Sequence, residues 1–247
     1  MKQQIIYGLR PVIETIESGA YIEKIFIRKG LKSDNFAYLM KLISHHAIPF
    51  QYVPIEKLNH LTSKNHQGVV AYSSLIEYYN IEEIIPELFE NGKNPFILIL
   101  DEITDIRNFG SIARSAECAG VDALIIPTHG AAQINEDAMK TSAGALNYIK
   151  VCRSNSLIKT IKFLKNSGLH IFSASEKADH NIFDFDFNIP VAVIMGSEGK
   201  GISTSLINLS DNIFKIPVFG KIKSLNVSNA AAIILFEIVK QRYLSNR

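Results

Sequence analysis

Residues 96–114 read FILILDEITDIRNFGSIAR, where an apolar run gives way to polar residues and then to a helical pattern. The run Phe96–Leu100 has the length and composition of a buried strand. Asn108 and Gly110 lie in the polar part, just before a helix predicted over Ser111–Ala119. A strand, a polar loop and a helix in this order are the repeating unit of a parallel sheet covered by helices.

The same unit recurs along the rest of the chain. Further apolar runs predict strands at Ala123–Pro127, Tyr148–Cys152, His170–Ser173, Val191–Met195 and Ile213–Val218. Further helices are predicted at Glu136–Ala143, Leu157–Ser167, Ser203–Leu209 and Val227–Tyr243. This alternation indicates an α/β domain on a parallel sheet. Ligands bind such sheets outside the carboxyl ends of the strands, so functional residues are expected just after them.

The front of the chain predicts a smaller α/β domain over 1–75. Its predicted elements are a helix from Arg10 to Gly19, strands at Lys24–Ile27, Pro49–Val53 and Gly68–Tyr72, and a helix at Asn35–Ser44. This part carries nine Lys and Arg against five Asp and Glu, a net charge of +4. The charge suits an RNA-facing surface, and a chance fluctuation explains it equally well. Residues 76–94 contain five Glu and then a turn, which predicts an acidic linker helix before a domain over 95–247.

The composition is that of a globular protein in a reducing compartment. Of the 247 residues, 47% are hydrophobic and 20% are charged, and the formal net charge is +2. The two cysteines provide neither a disulfide framework nor a CxxC metal site. The N-terminus lacks a signal-peptide core, and the longest uncharged apolar run, Ala230–Phe236, is far shorter than the ~20 residues of a membrane span. We therefore expect a soluble, cytoplasmic protein.

The segment 196–203 follows a predicted strand, and two known glycine-rich motifs fail there. The P-loop pattern begins to match at Gly196, but Ile202 stands where the phosphate-binding Lys belongs, which argues against an NTPase. The glycine spacing does not fit the Rossmann dinucleotide fingerprint either. What remains is a glycine-rich loop that presents one carboxylate, Glu198.

Two other predicted strand ends carry polar side chains. Free N–H groups near Asn108 and Gly110 could hold an RNA phosphate, and the planar guanidinium of Arg114 suits phosphate or carboxylate. A capping Asn with a surface Arg is the simpler alternative. Ser224 and Asn226 follow the last strand, and Ser224 is also a plausible helix N-cap. The seven His form no HExxH motif, and neither Cys lies in a nucleophile signature. The sequence therefore lacks the residues that hydrolases, metalloenzymes and kinases need, and no metal is expected.

In order along the chain, three of these segments resemble the three motifs of SpoU/TrmH-type RNA 2′-O-ribose methyltransferases, which belong to the SPOUT class. The segments are Asn108-x-Gly110-x3-Arg114, Ile194-Met195-Gly196-Ser197-Glu198-Gly199 and Ile216-Pro217-x6-Ser224-Leu225-Asn226-Val227-Ser228. The front half resembles the family's substrate-binding domain, at Tyr7-Gly8-x2-Pro11-Val12 and at His66–Ala71. The resemblance covers nearly the whole chain. Asn229, where many members carry Val, is a small departure.

The resemblance implies a fold and a cofactor. A small N-terminal α/β domain that binds substrate RNA (1–75) would be followed by a C-terminal parallel-sheet SPOUT domain (95–247) with a trefoil knot, an exception to the rule against knots. S-adenosyl-L-methionine would bind in the knot, without a metal. The positions that match its binding residues are Met195, Gly196, Ile216 and Leu225. The family also forms homodimers, with the region of the final helix at the interface.

The implied reaction is methylation of a ribose 2′-oxygen in structured RNA, and the implied target is a guanosine of 23S ribosomal RNA. A transfer RNA target, a base methyltransferase on a related fold and a non-catalytic RNA-binding protein remain alternatives. The implied catalytic residues are Asn108, Arg114, Glu198, Ser224 and Asn226. Arg114 is often given the role of base in this family, but the pKa of a guanidinium exceeds about 12. A cation that stabilises the developing alkoxide or orients a phosphate is the better interpretation, and the base stays unassigned.

Overall fold

A computed structural model describes residues 4–222 and 224–245, which form two compact units. Unit 1 comprises Met1–Glu77 with Gln133–Glu136, and unit 2 comprises Tyr78–Ala132 with Asp137–Arg247. The ends of the two predicted domains, 1–3 and 246–247, lie outside the described residues, as does position 223. Within the described ranges, no helix is long and apolar enough to cross a membrane.

Unit 1 is a four-stranded sheet with helices on both faces. Its strands are β1 (Ile5–Tyr7), β2 (Ile22–Arg28), β3 (Phe50–Val53) and β4 (Val69–Ser73), and its helices are α1 (Leu9–Glu17), α2 (Asp34–His45) and α3 (Ile55–Leu61). The strand order is β1-β4-β2-β3, and only β2 and β3 pair in parallel. Successive β2 residues point to opposite faces. Ile25 and Ile27 therefore pack in one cluster with α1 and α2, and Phe26 packs in another with Leu58 of α3.

Unit 2 is built on a larger sheet. Its strands are β5 (Tyr78–Tyr79), β6 (Phe96–Asp101), β7 (Ala123–Pro127), β8 (Lys150–Ser154), β9 (His170–Ala174), β10 (His180–Asn181), β11 (Val191–Gly196) and β12 (Asn212–Lys215). The helices from residue 81 onward are α4 (Ile81–Glu90), α5 (Ile106–Cys118), α6 (Glu136–Thr141), α7 (Leu157–Asn166), α8 (Thr204–Ile207) and α9 (Val227–Ser245).

The strand order of this sheet is β10-β12-β9-β11-β6-β7-β8-β5, and every pairing between the described strands is parallel. The predicted fold class, an α/β front unit and a parallel-sheet rear unit, is confirmed. The trefoil knot stays a prediction. The central strands β6 and β11 are buried almost throughout, which explains why their sequences are apolar without alternation.

The segment 76–94, predicted as an acidic linker, contains β5 and α4. Strand β5 pairs with β8, and α4 buries Ile81, Ile84, Ile85 and Leu88 in the core cluster of unit 2. These positions follow the i, i+3, i+4, i+7 pattern of an amphipathic helix, and its glutamates lie on the exposed face. The helix is thus an integral part of unit 2, whereas the domain limits 1–75, 76–94 and 95–247 stay predictions.

Candidate active site

Three loops leave the same edge of the larger sheet, because parallel strands end on the same side. They follow β6, β11 and β12. The first predicted motif lies in α5, directly after the first loop, the second spans the end of β11 and its loop, and the third spans the loop after β12 and the start of α9. β6 and β11 are direct neighbours in the sheet, in a register that places Asp101 beside Gly196. The sheet thus brings the first two motifs together although about 95 residues separate their strands.

The side chains of Asn108, Glu198 and Asn226 form one hydrogen-bonded cluster. The Nδ2 of Asn226 donates to Oε1 of Glu198 (2.7 Å) and to Oδ1 of Asn108 (3.0 Å). The Nδ2 of Asn108 donates to the same Oε1 (3.3 Å), and so does the backbone N–H of Val227 (3.2 Å). Each of the three motifs therefore contributes one side chain to the cluster.

Glu198 is the acceptor at the centre of this cluster. Its Oε1 atom receives all three of these donors, whereas Oε2 accepts no hydrogen bond from the part of the chain that the structure describes. An acceptor oxygen that receives several N–H donors is held in a fixed position. Glu198 is also exposed, so the second oxygen is available to a ligand or a substrate group.

A cavity of about 570 Å³ lies beside this cluster, between the loops that follow β9, β11 and β12. Its lining includes all four predicted cofactor-binding residues, Met195, Gly196, Ile216 and Leu225. It also includes three predicted catalytic residues, Glu198, Ser224 and Asn226. The lining therefore combines apolar side chains and backbone with carboxylate, amide and hydroxyl groups.

The loop after β11 folds tightly back on itself. Ser197 and Gly201 form an isolated β-bridge, in which the N–H of Gly201 donates to the carbonyl of Ser197 (2.9 Å). A Cβ added to Gly196 would overlap the backbone of Gly201 and Ile202. Gly199 has φ +87°, a conformation that favours glycine. The glycines are thus required by the loop itself, and its tight base positions Glu198.

Two acidic residues at the end of β6 contact this loop, and the motifs of the sequence did not indicate them. Asp101 is buried, and its Oδ2 accepts the backbone N–H of Ser203 (2.8 Å). Glu102 is exposed and forms an ion pair with Lys200 (3.0 Å). Their only signal in the sequence is a pair of acids directly after a buried strand.

The structure corrects the prediction that Asn108 and Gly110 come just before a helix. Helix α5 begins at Ile106, because the side chain of Asp105 caps it by accepting the N–H of Asn108 (2.7 Å). That donor is therefore occupied, and the negative charge of Asp105 opposes a phosphate at this position. Neither the phosphate site nor the capping role considered for Asn108 fits this geometry.

Gly110 lies within α5 and permits close packing against the end of α6. A Cβ added to Gly110 would lie 2.8 Å from Cβ of Thr141 and 3.1 Å from the backbone N of Ser142. The first motif therefore needs its glycine for helix packing. Arg114 is exposed on the same helix and is absent from the cavity lining, and its side chain has no hydrogen bond or ion pair among the described residues.

Asn226 has a second role at the start of α9. Its Oδ1 accepts the backbone N–H of Ser228 (2.9 Å), which is the contact of a helix N-cap. The capping role considered for Ser224 therefore falls to Asn226, and Ser224 lies at the cavity instead. Of the five predicted catalytic residues, the structure joins three in one cluster, places Ser224 at the same cavity and leaves Arg114 outside these contacts.

Comparison with known proteins gives two family matches that divide the chain. Residues 95–236 match the SpoU rRNA Methylase family, and residues 5–79 match the family described as RNA 2′-O ribose methyltransferase substrate binding. The chain is 33% identical over 244 residues to a Bacillus subtilis protein assigned to the TrmH family of tRNA/rRNA methyltransferases, covering 98% of each chain. A Staphylococcus saprophyticus protein with the same assignment is 34% identical over 242 residues, covering 98% of this chain and 97% of the relative.

Among solved structures, the chain is similar to AviRb from Streptomyces viridochromogenes, a SpoU methyltransferase crystallised in complex with the cofactor AdoMet (S-adenosyl-L-methionine). The TM-score is 0.62 at 25% identity, and the match covers 98% of this chain and 91% of AviRb.

Proposed function

Since this chain belongs to the SpoU family of RNA methylases, we propose that it transfers a methyl group from S-adenosyl-L-methionine to a ribose 2′-hydroxyl in structured RNA. The observation that carries the proposal is the cluster of Asn108, Glu198 and Asn226 beside the cavity. Side chains from three distant segments of the chain meet there at one carboxylate. A protein that only bound RNA would not need this arrangement.

The cavity suits the proposed cofactor in size and in chemistry. A volume of about 570 Å³ lies within the range of small-molecule sites, and the lining includes the apolar side chains of Met195, Ile216 and Leu225. These apolar side chains would hold the adenine and ribose portion, and the polar wall near Glu198 would hold the amino-acid portion. When bound, the cofactor supplies an electrophilic methyl group on a positively charged sulfur.

The residues of the chain would contribute mainly by positioning. A methyl transfer requires the attacking oxygen in line with the bond that breaks, and fixed orientation alone lowers the barrier substantially. Asn108, Glu198, Ser224 and Asn226 would orient the ribose and the cofactor. The exposed Arg114 would stabilise the negative charge that develops on the 2′-oxygen or hold an adjacent phosphate.

The RNA target that we propose is a guanosine of 23S ribosomal RNA, with residues 1–75 binding the RNA and 95–247 performing the transfer. The net charge of +4 on 1–75 supports this division, and phosphate contacts would make the RNA affinity fall with salt.

We also propose a cytoplasmic homodimer that uses the exposed apolar side chains of α9. These are Ile233, Phe236, Tyr243 and Leu244. Light scattering should then give twice 27.6 kDa.

The deciding experiment supplies the protein with methyl-labelled S-adenosyl-L-methionine and unmodified 23S ribosomal RNA or transfer RNA, in EDTA. We expect label in ribosomal RNA, at a linkage that resists alkaline cleavage because its 2′-oxygen is methylated. Label only in transfer RNA would overturn the target, and alkali-sensitive labelled linkages would indicate base methylation. RNA binding without cofactor binding would show a non-catalytic RNA-binding protein, and a need for Mg²⁺ in cofactor binding would overturn the metal-free site.

A further inference from the structure

The carboxylate of Asp101 is buried at the end of β6, beside the residue at which β11 ends. Asp101 is 7% exposed and is the last residue of β6, from which the chain continues to Asn108. An Asp is rarely buried to this degree unless it is paired. Among the described residues Asp101 has no cationic partner, and its Oδ2 accepts the backbone N–H of Ser203 at 2.8 Å.

That hydrogen bond closes the loop which presents Glu198. The loop leaves β11 at Gly196, which lies beside Asp101 in the sheet, and it returns to Asp101 at Ser203. Its base is narrowed by the bridge between Ser197 and Gly201. Both ends of the loop are thus fixed next to the same residue of β6. A hydrogen bond to a charged acceptor is among the stronger ones in proteins, so this contact is a credible anchor.

The anchor has a direct geometric consequence for the site. Asn108 reaches Glu198 through a hydrogen bond of 3.3 Å, near the upper limit for this interaction. A small outward movement of the loop would break it. Asp101 itself does not line the cavity, so any effect that it has on a ligand must act through the loop.

We propose that Asp101 is a positioning residue, which holds the loop 196–203 against the end of β6 and thereby sets the place of Glu198. The inference rests on the proposed function, because it assigns Asp101 to the cofactor site of a methyltransferase. Loss of the anchor weakens cofactor binding and slows turnover while RNA binding by the rest of the chain persists.

The test compares Asp101→Asn and Asp101→Ala in the full-length protein with a neighbouring control, Glu102→Gln. Asn keeps the shape and an acceptor oxygen but loses the charge, so partial rescue relative to Ala is expected. By titration calorimetry, Asp101→Ala should raise the Kd for S-adenosyl-L-methionine at least tenfold, the range for losing a charged hydrogen bond. Glu102→Gln removes only an exposed ion pair and should stay within about threefold.

Further measurements separate positioning from a general structural role. The far-UV circular dichroism and the RNA affinity of Asp101→Ala should match the wild type, while turnover at saturating cofactor falls. Hydrogen exchange at the amide of Ser203 should be faster in Asp101→Ala than in Glu102→Gln. A lower Tm with unchanged cofactor Kd and turnover would show a structural role alone and would overturn the proposal.

The two hypotheses fail in different ways. If the wild type binds no S-adenosyl-L-methionine, the proposed function is wrong, and the exchange rate at Ser203 still decides whether Asp101 anchors the loop. If the wild type binds and methylates while both Asp101 variants match it within threefold, the function stands and the positioning role of Asp101 is wrong.

Discussion

Arg114 and Leu225 should separate chemistry from cofactor binding. Arg114 is exposed on α5 away from the cavity lining, whereas Leu225 belongs to that lining. Arg114→Ala should leave the Kd for S-adenosyl-L-methionine within a few-fold and lower turnover by roughly 10²–10⁴, as expected for losing an electrostatic group. Arg114→Lys should rescue little, because an ammonium cannot replace a planar guanidinium. Calorimetry and single-turnover rates measure the two effects.

Leu225→Asp is the matched partner in that experiment. It places an uncompensated carboxylate against the apolar wall and should abolish cofactor binding. Circular dichroism must show that the variant is folded. The division of roles fails if Arg114→Ala loses cofactor affinity but keeps its rate at saturating cofactor.

Gly196 offers a second residue-level test. Gly196→Ala should prevent the loop from closing, because the new Cβ would overlap the backbone of Gly201. We expect cofactor binding to fall below detection and stability to drop by about 1–3 kcal/mol, the usual cost of overpacking. The control is Gly220→Ala, where an added Cβ meets open space and φ is not positive. Equal behaviour of the two variants would contradict the close-packed loop.

Much of the site could be predicted at this scale, and the limits have physical causes. Glu198 stood out because a turn requires glycines but not an acid. The contact of Asp101 with the loop could not be predicted. It depends on the burial of Asp101 and on the N–H of Ser203, which comes from a distant segment of the chain. The packing role of Gly110 could not be predicted either, because the neighbour that excludes a side chain there, Thr141, belongs to another helix.

At the scale of elements, the packing of α5 gives a prediction that opposes helix propensity. In an open helix, Gly→Ala stabilises by about 1 kcal/mol. Gly110→Ala should instead destabilise by about 1–3 kcal/mol, because its Cβ would lie 2.8 Å from Thr141. Ser111→Ala, on the same helix, should stay within about 0.5 kcal/mol. Urea unfolding of both variants measures the difference, and a stabilised Gly110→Ala protein would refute the close contact.

Helix α4 should stabilise unit 2 despite its acidic composition. Ile85 is 1% exposed in the core cluster, so Ile85→Ala should cost about 2–5 kcal/mol of unfolding free energy. Glu90→Ala, at the exposed end of the same helix, should change stability by no more than about 0.5 kcal/mol. Thermal and urea unfolding would show the contrast. A small effect of Ile85→Ala would mean that the helix is a linker after all.

The start of α5 and the role of α4 show where patterns along the chain mislead. The Asn and Gly of the first motif predict a loop, whereas Asp105 caps a helix that already begins at Ile106. In α4, four glutamates give an acidic composition that suggests a linker, whereas the apolar face of the helix decides its position. Local composition described these segments, but the partners that fix them lie elsewhere in the chain.

At the scale of the whole molecule, the parallel sheet followed from alternating strands and helices, but its strand order did not. Adjacent motifs in space come from strands far apart in sequence, and periodicity carries no information about which strands pair. The sequence pattern likewise did not predict that unit 1 includes a second, separate segment of the chain. Residues 133–136 belong to it, with Ile134 fully buried and its N–H donating to Glu23 (2.8 Å).

The pairing of β6 with β11 also determines when the cofactor site forms during folding. These neighbours are separated by about 95 residues, so the chain must close a very long loop before the site exists. Non-local parallel pairing is intrinsically slow, and chains of this size commonly pass through intermediates. After dilution from denaturant, helical circular dichroism should therefore recover well before the ability to capture labelled S-adenosyl-L-methionine. If circular dichroism and cofactor capture recovered together in a single phase, β6 and β11 would pair at the start of folding. Late formation of the site would then be wrong.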